Sequence, residues 1–416
     1  MAVWLPLSSW KKLLRSISTN ASNVPISVGL LTGGFDKPYV FGLAMALVSA
    51  GIRLDVIGGD GVDRPEFHIT PNLTFLNLRG DQQKNSKFRR KLARVLAYYV
   101  KLICYAAVAE PKIFHILWNN RIEFFDRTLL MLYYKLMGKK ILLTAHNVNA
   151  GRRDNNNSLF NRFSLKIQYR LADKIFVHTE KMRQELCREF GISSEVVTVI
   201  PFGINNSVPH SNLTVSEAKQ RLGIEETEKT ILFFGAIRPY KGLENLVSAF
   251  QQVALRSRNY RLIIAGEAQK GSEVYLRTIQ ESIAKDLSRE RIIQRIEFIQ
   301  DSDTEVYFKA ADVCVLPYTL VFQSGVLFLA YSFGLPVIAT DVGSFSEEII
   351  EGKTGFLCKS CDAGNIADTI EKYFSSNLYE NLGNYRREIQ NYANARNSWD
   401  AVGEITRKVY AEILAG

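Results

Sequence analysis

Long apolar runs are missing from this sequence. The opening residues lack the uninterrupted apolar run of a signal peptide and form a segment far too short to span a bilayer, so neither is expected there. Cysteine is scarce, 5 in 416 residues, and only Cys358 and Cys361 are spaced as Cys-x-x-Cys, with no second pair or histidine beside them. That argues against a disulfide framework or a zinc site and fits a reducing, cytoplasmic compartment. Also absent are a Gly-x-Gly-x-x-Gly fingerprint, a nucleic-acid motif, low-complexity tracts and repeats of about 20–50 residues. No nicotinamide, no metal, no other cofactor and no nucleic-acid partner is therefore expected.

What is present has a globular balance, 47% hydrophobic and 23% charged, in a chain too long for one ordinary core. Its net charge of +10 is unevenly held. Residues 1–200 carry 29 Lys and Arg against 15 Asp and Glu, while residues 201–416 carry 23 against 27. The basic surplus belongs to the first half, and with no nucleic-acid motif it points to an anionic membrane surface.

The first half reads as an α/β unit. Leu7, Trp10, Leu13, Leu14 and Ile17 recur at helical spacing opposite Lys11, Lys12 and Arg15, a basic amphipathic helix suited to lie on a membrane. Val24 to Leu31 is a strand, followed by Thr32-Gly33-Gly34 and a helix from about Tyr39 to Ala50. Gly33 and Gly34 allow a ligand to approach the backbone closely. A second basic amphipathic helix runs from Phe88 to Cys104, with Phe88, Leu92, Val95, Leu96, Tyr99 and Ile103 as its apolar face. Strands follow at Ile113 to Leu117 and Ile141 to Thr144. His146, just past the second, stands where parallel sheets bind substrates, whereas His115 is expected in the core. Asn147 and Arg153, near an asparagine-rich loop, are candidates for the acceptor side.

The second half begins a fresh α/β unit at Thr230 to Gly235. Arg238 and Lys241 lie on the glycine-bounded loop that follows, two cations suited to a diphosphate and to its charge as a leaving group. Strands are expected at Arg261 to Gly266 and Ile296 to Ile299. The buried run Ala311 to Leu316 then stops at Pro317, and a small-residue loop, Gln323-Ser324-Gly325-Val326, leads into an apolar helix ended by Gly334. Strand, loop and helix in this order aim free backbone amides and a helix dipole at one point, a cradle for phosphate. A turn at Gly343 to Glu347 follows the strand Pro336 to Asp341, and the chain finishes with an amphipathic helix from about Trp399 to Leu414.

Gly235 through Gly242, Ala310-Ala311-Asp312 through Pro317, Phe333-Gly334-Leu335-Pro336-Val337-Ile338-Ala339-Thr340 and Glu351-Gly352-Lys353-Thr354-Gly355-Phe356-Leu357 resemble, in order and spacing, family 4 glycosyltransferases of the GT-B fold. The resemblance implies two Rossmann-like domains, parallel sheets flanked by helices, facing across a cleft. The expected division is an acceptor-side domain over 1–204, a donor-binding domain over 205–395 and a helix over 396–416 returning to the first. It further implies retention at the anomeric carbon, a nucleotide-sugar donor held mainly by the second domain, and an acceptor held mainly by the first; with the basic surplus of the first half, a lipid or lipid-linked glycan is the expected acceptor. Arg238 and Lys241 look like the donor-phosphate cations and His146 like the histidine beside the reacting sugar. Gly33, Gly34, Ile299, Gln323, Ser324, Gly325, Val326 and Glu347 complete the expected donor set.

Two departures stand out. The family usually carries two glutamates eight positions apart around the loop, and Val321 and Leu329 occupy those places; an arginine usual five residues before Lys241 is replaced by Ala236. Altered donor recognition, with Gln323, Ser324 and Glu347 supplying polar contacts, is the reading favoured here. A nucleotide-sugar epimerase of the same fold and a non-catalytic partner of another transferase are the alternatives.

Overall fold

The computed structural model describes residues 26–34, 36–80, 88–153, 157–204, 208 and 210–415. The basic helix expected over Leu7 to Ile17 lies outside the described residues, as does the side chain of Arg153. In the first half the strands are β1 (Ser27–Leu31), β2 (Arg53–Gly58), β3 (Leu73–Asn77), β4 (Ile113–Ile116), β5 (Lys140–Thr144), β6 (Lys174–Val177) and β7 (Val197–Val199). In the second they are β8 (Lys229–Phe234), β9 (Tyr260–Ala265), β10 (Ile292–Arg295), β11 (Val313–Leu316), β12 (Val337–Thr340) and β13 (Gly355–Cys358). Among the helices are α1 (Lys37–Ser49), α2 (Phe88–Val108), α3 (Met131–Leu136), α4 (Leu159–Leu171) and α5 (Glu180–Phe190), then α6 (Leu243–Arg256), α7 (Asp301–Ala310), α8 (Gly325–Ser332), α9 (Leu382–Asn397) and α10 (Trp399–Ala415).

These strands form two wholly parallel sheets, ordered β3-β2-β1-β4-β5-β6-β7 and β10-β9-β8-β11-β12-β13. Helices cover both faces, so central strands such as Val313–Leu316 and Val337–Thr340 are buried throughout and read as unbroken apolar runs. In each sheet the strand order reverses once, between β1 and β4 and between β8 and β11, and a crevice opens at the carboxyl ends there. The glycine turn after β1 and the cationic loop after β8 sit at these two points.

The strand expected at Ile296 to Ile299 is instead formed earlier, at Ile292–Arg295, and Phe298 is 60% exposed. β10 is an edge strand with β9 as its sole neighbour, so Ile292 alone need be buried and Gln294 and Arg295 are tolerated. The apolar face expected on α2 is also divided. Tyr98, Tyr99, Leu102 and Ala106 are buried against the sheet, while Leu92, Leu96 and Val100 form an exposed strip at helical spacing.

The chain crosses between domains twice, side by side. Ile204 N–H donates to the Asn397 carbonyl at 2.9 Å, the Asn397 side-chain amide donates to the Phe202 carbonyl at 2.9 Å, and Trp399 Nε1 donates to the Ile204 carbonyl at 2.9 Å. α10 then packs on α1, with Trp399 filling the space beside Gly42 and Gly203, where a Cβ would lie 2.0 and 2.4 Å from its ring. Tyr410 on α10 reaches the buried His115, whose Nδ1 lies 2.7 Å from its hydroxyl and whose Nε2 lies 2.7 Å from Thr144 Oγ1. His115 is thus a satisfied core residue.

Candidate active site

At the second sheet's reversal point the backbone of the β8 exit comes close to two other segments. Gly235 has φ +99°, and a Cβ there would meet Lys241 Nζ at 3.2 Å and Val326 Cγ2 at 3.4 Å. The ammonium, the glycine and the first turn of α8 therefore share one small volume. Lys241 is buried, on the helical turn Pro239–Lys241, and its Nζ stands 5.4 Å from the centre of the Tyr318 ring. The turn is fixed to the β11 exit: Thr319 N–H donates to the Tyr240 carbonyl at 2.8 Å, and a Cβ at Gly242 would strike the Pro317 carbonyl oxygen. Ser324 is buried at the N-cap of α8, and Gly325 has nothing within 4 Å of where its Cβ would be. The amide end of α8 thus opens onto free space beside a buried cation, a geometry suited to an anion.

Arg238 lies on the same loop, where its Nη2 donates to Gln269 Oε1 at 3.4 Å. The Gln323 side-chain amide is enclosed, beside the buried carboxyl of Glu348. Ile299 packs against the apolar cluster around Tyr307 and Phe308, beyond β10 and two strands from β8. Val321 and Leu329, at the positions of the missing glutamates, are buried in that same cluster.

Glu347 does not join this group. Its carboxylate accepts from the backbone N–H groups of Glu180 at 3.3 Å and Lys181 at 3.2 Å, at the amino end of α5 in the first domain. A carboxylate satisfies free helix amides and suits the positive end of the dipole, so Glu347 ties the domains together. Phe322 reinforces that tie by packing into the first domain's apolar cluster with Val148 and Met182, and Phe202 stacks on Phe328 at 5.2 Å.

Opposite, the glycine turn is held by its neighbours. Gly33 has φ +60°, and a Cβ there would lie 2.7 Å from the Trp118 carbonyl oxygen; the space beside Gly34 is filled by Arg79, which donates to the Gly33 carbonyl. Both glycines are explained by this close packing at the sheet edge. His146 follows β5 and lies flat against Trp118, centroids 4.1 Å apart and planes 7° from parallel. Its Nδ1 is 3.0 Å from His178 Nε2, while its own Nε2 is enclosed with no partner. Burial holds His146 well below the usual histidine range and brings His178 down to about 4, so both rings are neutral at pH 7.

Asn147 adjoins His146, and the Asn149 side chain donates to Asn157 at 3.0 Å and accepts from Asn161 at 3.1 Å. A cavity of about 310 Å³ between the domains is lined by Arg152, Thr179, Lys181, Glu185, Val321 and Phe322, among others. Arg152 is braced there by Glu185 at 2.9 Å and Glu189 at 3.0 Å.

Arg79, Trp118 and His178 were not singled out by the sequence reading. His178 follows an apolar strand just as His146 does, and the same placement rule applied evenly would have found it. Trp118 and Arg79 offer no such signal, because their roles come from contacts across the sheet edge.

Paired parallel-sheet domains whose reversal points face one another define the GT-B architecture. The model for Glycosyltransferase Family 4 matches residues 38–208 and that for Glycosyl transferases group 1 matches residues 214–395; the chain belongs to the GT-B glycosyltransferases. Among solved structures, sucrose-phosphate synthase of Thermosynechococcus elongatus superposes with TM-score 0.75 at 20% identity, covering 94% of this chain and 99% of that one. HepE of Anabaena, in complex with UDP-glucose, superposes with TM-score 0.72 at 17% identity over 94% of this chain and 99% of that one. In sequence, an uncharacterized glycosyltransferase of Methanocaldococcus jannaschii is 26% identical over 57% of this chain and 59% of its own length. A D-inositol 3-phosphate glycosyltransferase of Corynebacterium aurimucosum is 25% identical over 48% of each. The chain thus spans about half the length of these curated relatives.

Proposed function

We propose that this protein is a retaining glycosyltransferase that moves a hexose from a nucleoside diphosphate sugar to a hydroxyl of a lipid or lipid-linked glycan at a cytoplasmic membrane face. The observation that carries the reading is the meeting of Lys241, Gly235 and the amide end of α8 at the second sheet's reversal point. That HepE was solved with UDP-glucose on the same fold supports it.

The chemistry follows from where charge develops. As the bond between the anomeric carbon and the diphosphate breaks, negative charge gathers on the leaving phosphate, where Lys241, Arg238 and the Ser324 to Val326 amides stabilise it. The acceptor oxygen forms its bond on the same face of the sugar and passes its proton to the leaving phosphate oxygen. No protein carboxylate acts as base, which agrees with apolar Val321 and Leu329 standing where the family usually has glutamates. His146 orients the sugar, the Gln323 amide supplies further polar contact, Ile299 borders the nucleoside, and Gly33 and Gly34 shape the opposite wall. Arg152 and Asn147 serve the acceptor.

For the membrane, Leu92, Leu96 and Val100 on α2 and Leu159, Phe160 and Phe163 on α4 are exposed, and the exposed Arg89, Arg90 and Lys101 lie on α2. Apolar side chains flanked by cations suit an anionic bilayer surface. No helix among the described residues is long and apolar enough to cross it.

A screen of nucleotide sugars for thermal stabilisation tests the donor, and flotation with anionic against neutral vesicles tests the surface. Absence of stabilisation by every nucleotide sugar and nucleoside diphosphate would defeat the first; equal flotation at any lipid charge or salt would defeat the second. A non-catalytic subunit, favoured by Val321 and Leu329, would bind donor yet release no nucleotide when acceptor is added.

A further inference from the structure

The histidine beside the cleft is not alone, and its neighbour decides what it offers a ligand. His178 Nδ1 lies 3.3 Å from the Ile200 carbonyl oxygen. A carbonyl oxygen only accepts, so this nitrogen carries the ring's proton. In a neutral imidazole the other nitrogen is then bare, and it is the bare His178 Nε2 that sits 3.0 Å from His146 Nδ1. The contact requires His146 Nδ1 to donate. Burial holds both rings in the neutral form, which leaves His146 Nε2 as an unprotonated acceptor, enclosed and without a partner. Trp118 against its face and the edge of Tyr39, centroids 4.7 Å apart, hold the ring in this orientation.

We infer that His178 is a positioning residue: by accepting from His146 Nδ1–H it locks His146 into the tautomer whose Nε2 accepts a hydrogen bond from a hydroxyl or N–H group of the donor sugar. The lock is anchored outside the site, on the Ile200 carbonyl at the end of β7, two residues before Phe202, which stacks on Phe328 of α8. A segment leading toward the domain crossover therefore sets the hydrogen-bonding sense of His146 Nε2. A site built to accept from a substrate donor discriminates strongly against an analogue lacking that group. The inference rests on the proposed donor reading but is tested apart from it, because tautomers are read without substrate.

The full chain with ring-15N histidine would be examined by two-bond nitrogen–proton correlation, His146 being assigned by its loss in His146→Gln. The wild type is expected to show a protonated Nδ1 and a bare Nε2. His178→Phe keeps a ring but removes both hydrogen bonds, and the His146 signal should move toward the Nε2–H form; His178→Gln, which can still donate and accept, should keep the wild-type pattern. In transfer assays His178→Phe should lower kcat/KM about tenfold, the scale of one hydrogen bond, and His178→Gln should restore most of it. A bare Nδ1 in the wild type would overturn the inference alone, and so would His178→Phe leaving both tautomer and kcat/KM unchanged. A wild-type chain with the stated tautomer that neither binds nor uses any nucleotide sugar would overturn the donor reading and, with it, the role assigned to Nε2.

Discussion

In the first domain, three of the polar side chains buried along or just past the strands are the histidines 115, 146 and 178, held neutral by burial. In the second they include carboxylates paired with cations, Asp312 with Lys219 at 3.4 Å and Glu348 with Arg396 at 3.7 Å, and Asp312 also accepts from the Thr230 N–H at 2.7 Å. The surfaces differ the opposite way, the first half basic with apolar strips and the second slightly acidic. The lesson is that one sheet topology serves two electrostatic tasks. On the proposed function, the second domain would offer fixed positive charge to a diphosphate and the first fixed hydrogen-bond direction to an uncharged sugar.

The sharpest break in that contrast is removal of a buried cation. Lys219→Ala leaves Asp312 buried and partly unpaired and should cost about 3–5 kcal/mol in chemical unfolding, whereas Lys219→Met with Asp312→Leu should cost much less. Lys241→Ala should leave the fold intact, abolish stabilisation by nucleoside diphosphates and lower kcat/KM about 10²–10³-fold in transfer assays. If it merely raised acceptor KM, the assignment of charge to the second domain would be wrong.

Acid should divide the domains. His115 at about 3 and His178 at about 4 lie below the value near 6.5 of an exposed histidine, so the unfolded chain binds protons first. Stability is full above pH 6.5 and falls as pH drops toward 4, by up to about 1.4 kcal/mol per pH unit for each such histidine. Burial raises Asp126 in the first domain to about 6 and raises Asp312 and Glu348 in the second; these contributions have the opposite sign and grow as pH falls through their folded values, so the contrast rests on the three histidines. The tryptophans at 4, 10, 118 and 399 belong to the first half or to the returning helix. Their fluorescence should report unfolding at a higher pH than hydrogen exchange in β8 to β13; coincident transitions would remove the contrast. The smallest effect concerns the tie between domains. Glu347→Gln keeps one acceptor oxygen but loses the charge at α5 and should weaken closure by about 0.5–1 kcal/mol, seen as a larger radius of gyration in scattering.

Much of this was legible beforehand, for definite reasons. Unbroken apolar runs such as Val313 to Leu316 announce strands buried on both faces, and Gly235 and Gly242 mark where backbone must turn beside a cation. β10 was misplaced because an edge strand may be half polar, while Glu297-Phe298-Ile299 imitates a core strand without being one. The turn that carries Glu347 lies at the sheet edge where a donor contact is expected, and its carboxylate meets backbone amides 166 and 167 residues away in sequence. Amides leave no trace in composition. The sense of the His146 bond was hidden for the same reason, since it depends on the backbone carbonyl of Ile200.

Trp399 also bears on how motion in this molecule should be watched. The indole is wedged against Gly42 and Gly203 and hydrogen-bonded to the Ile204 carbonyl, so α10 rides with the first domain although it follows the second in sequence. A fluorophore placed near Ala415 would travel with the first domain, and paired with one on the exposed Leu287 it would give a distance ruler across the jaws rather than within one of them.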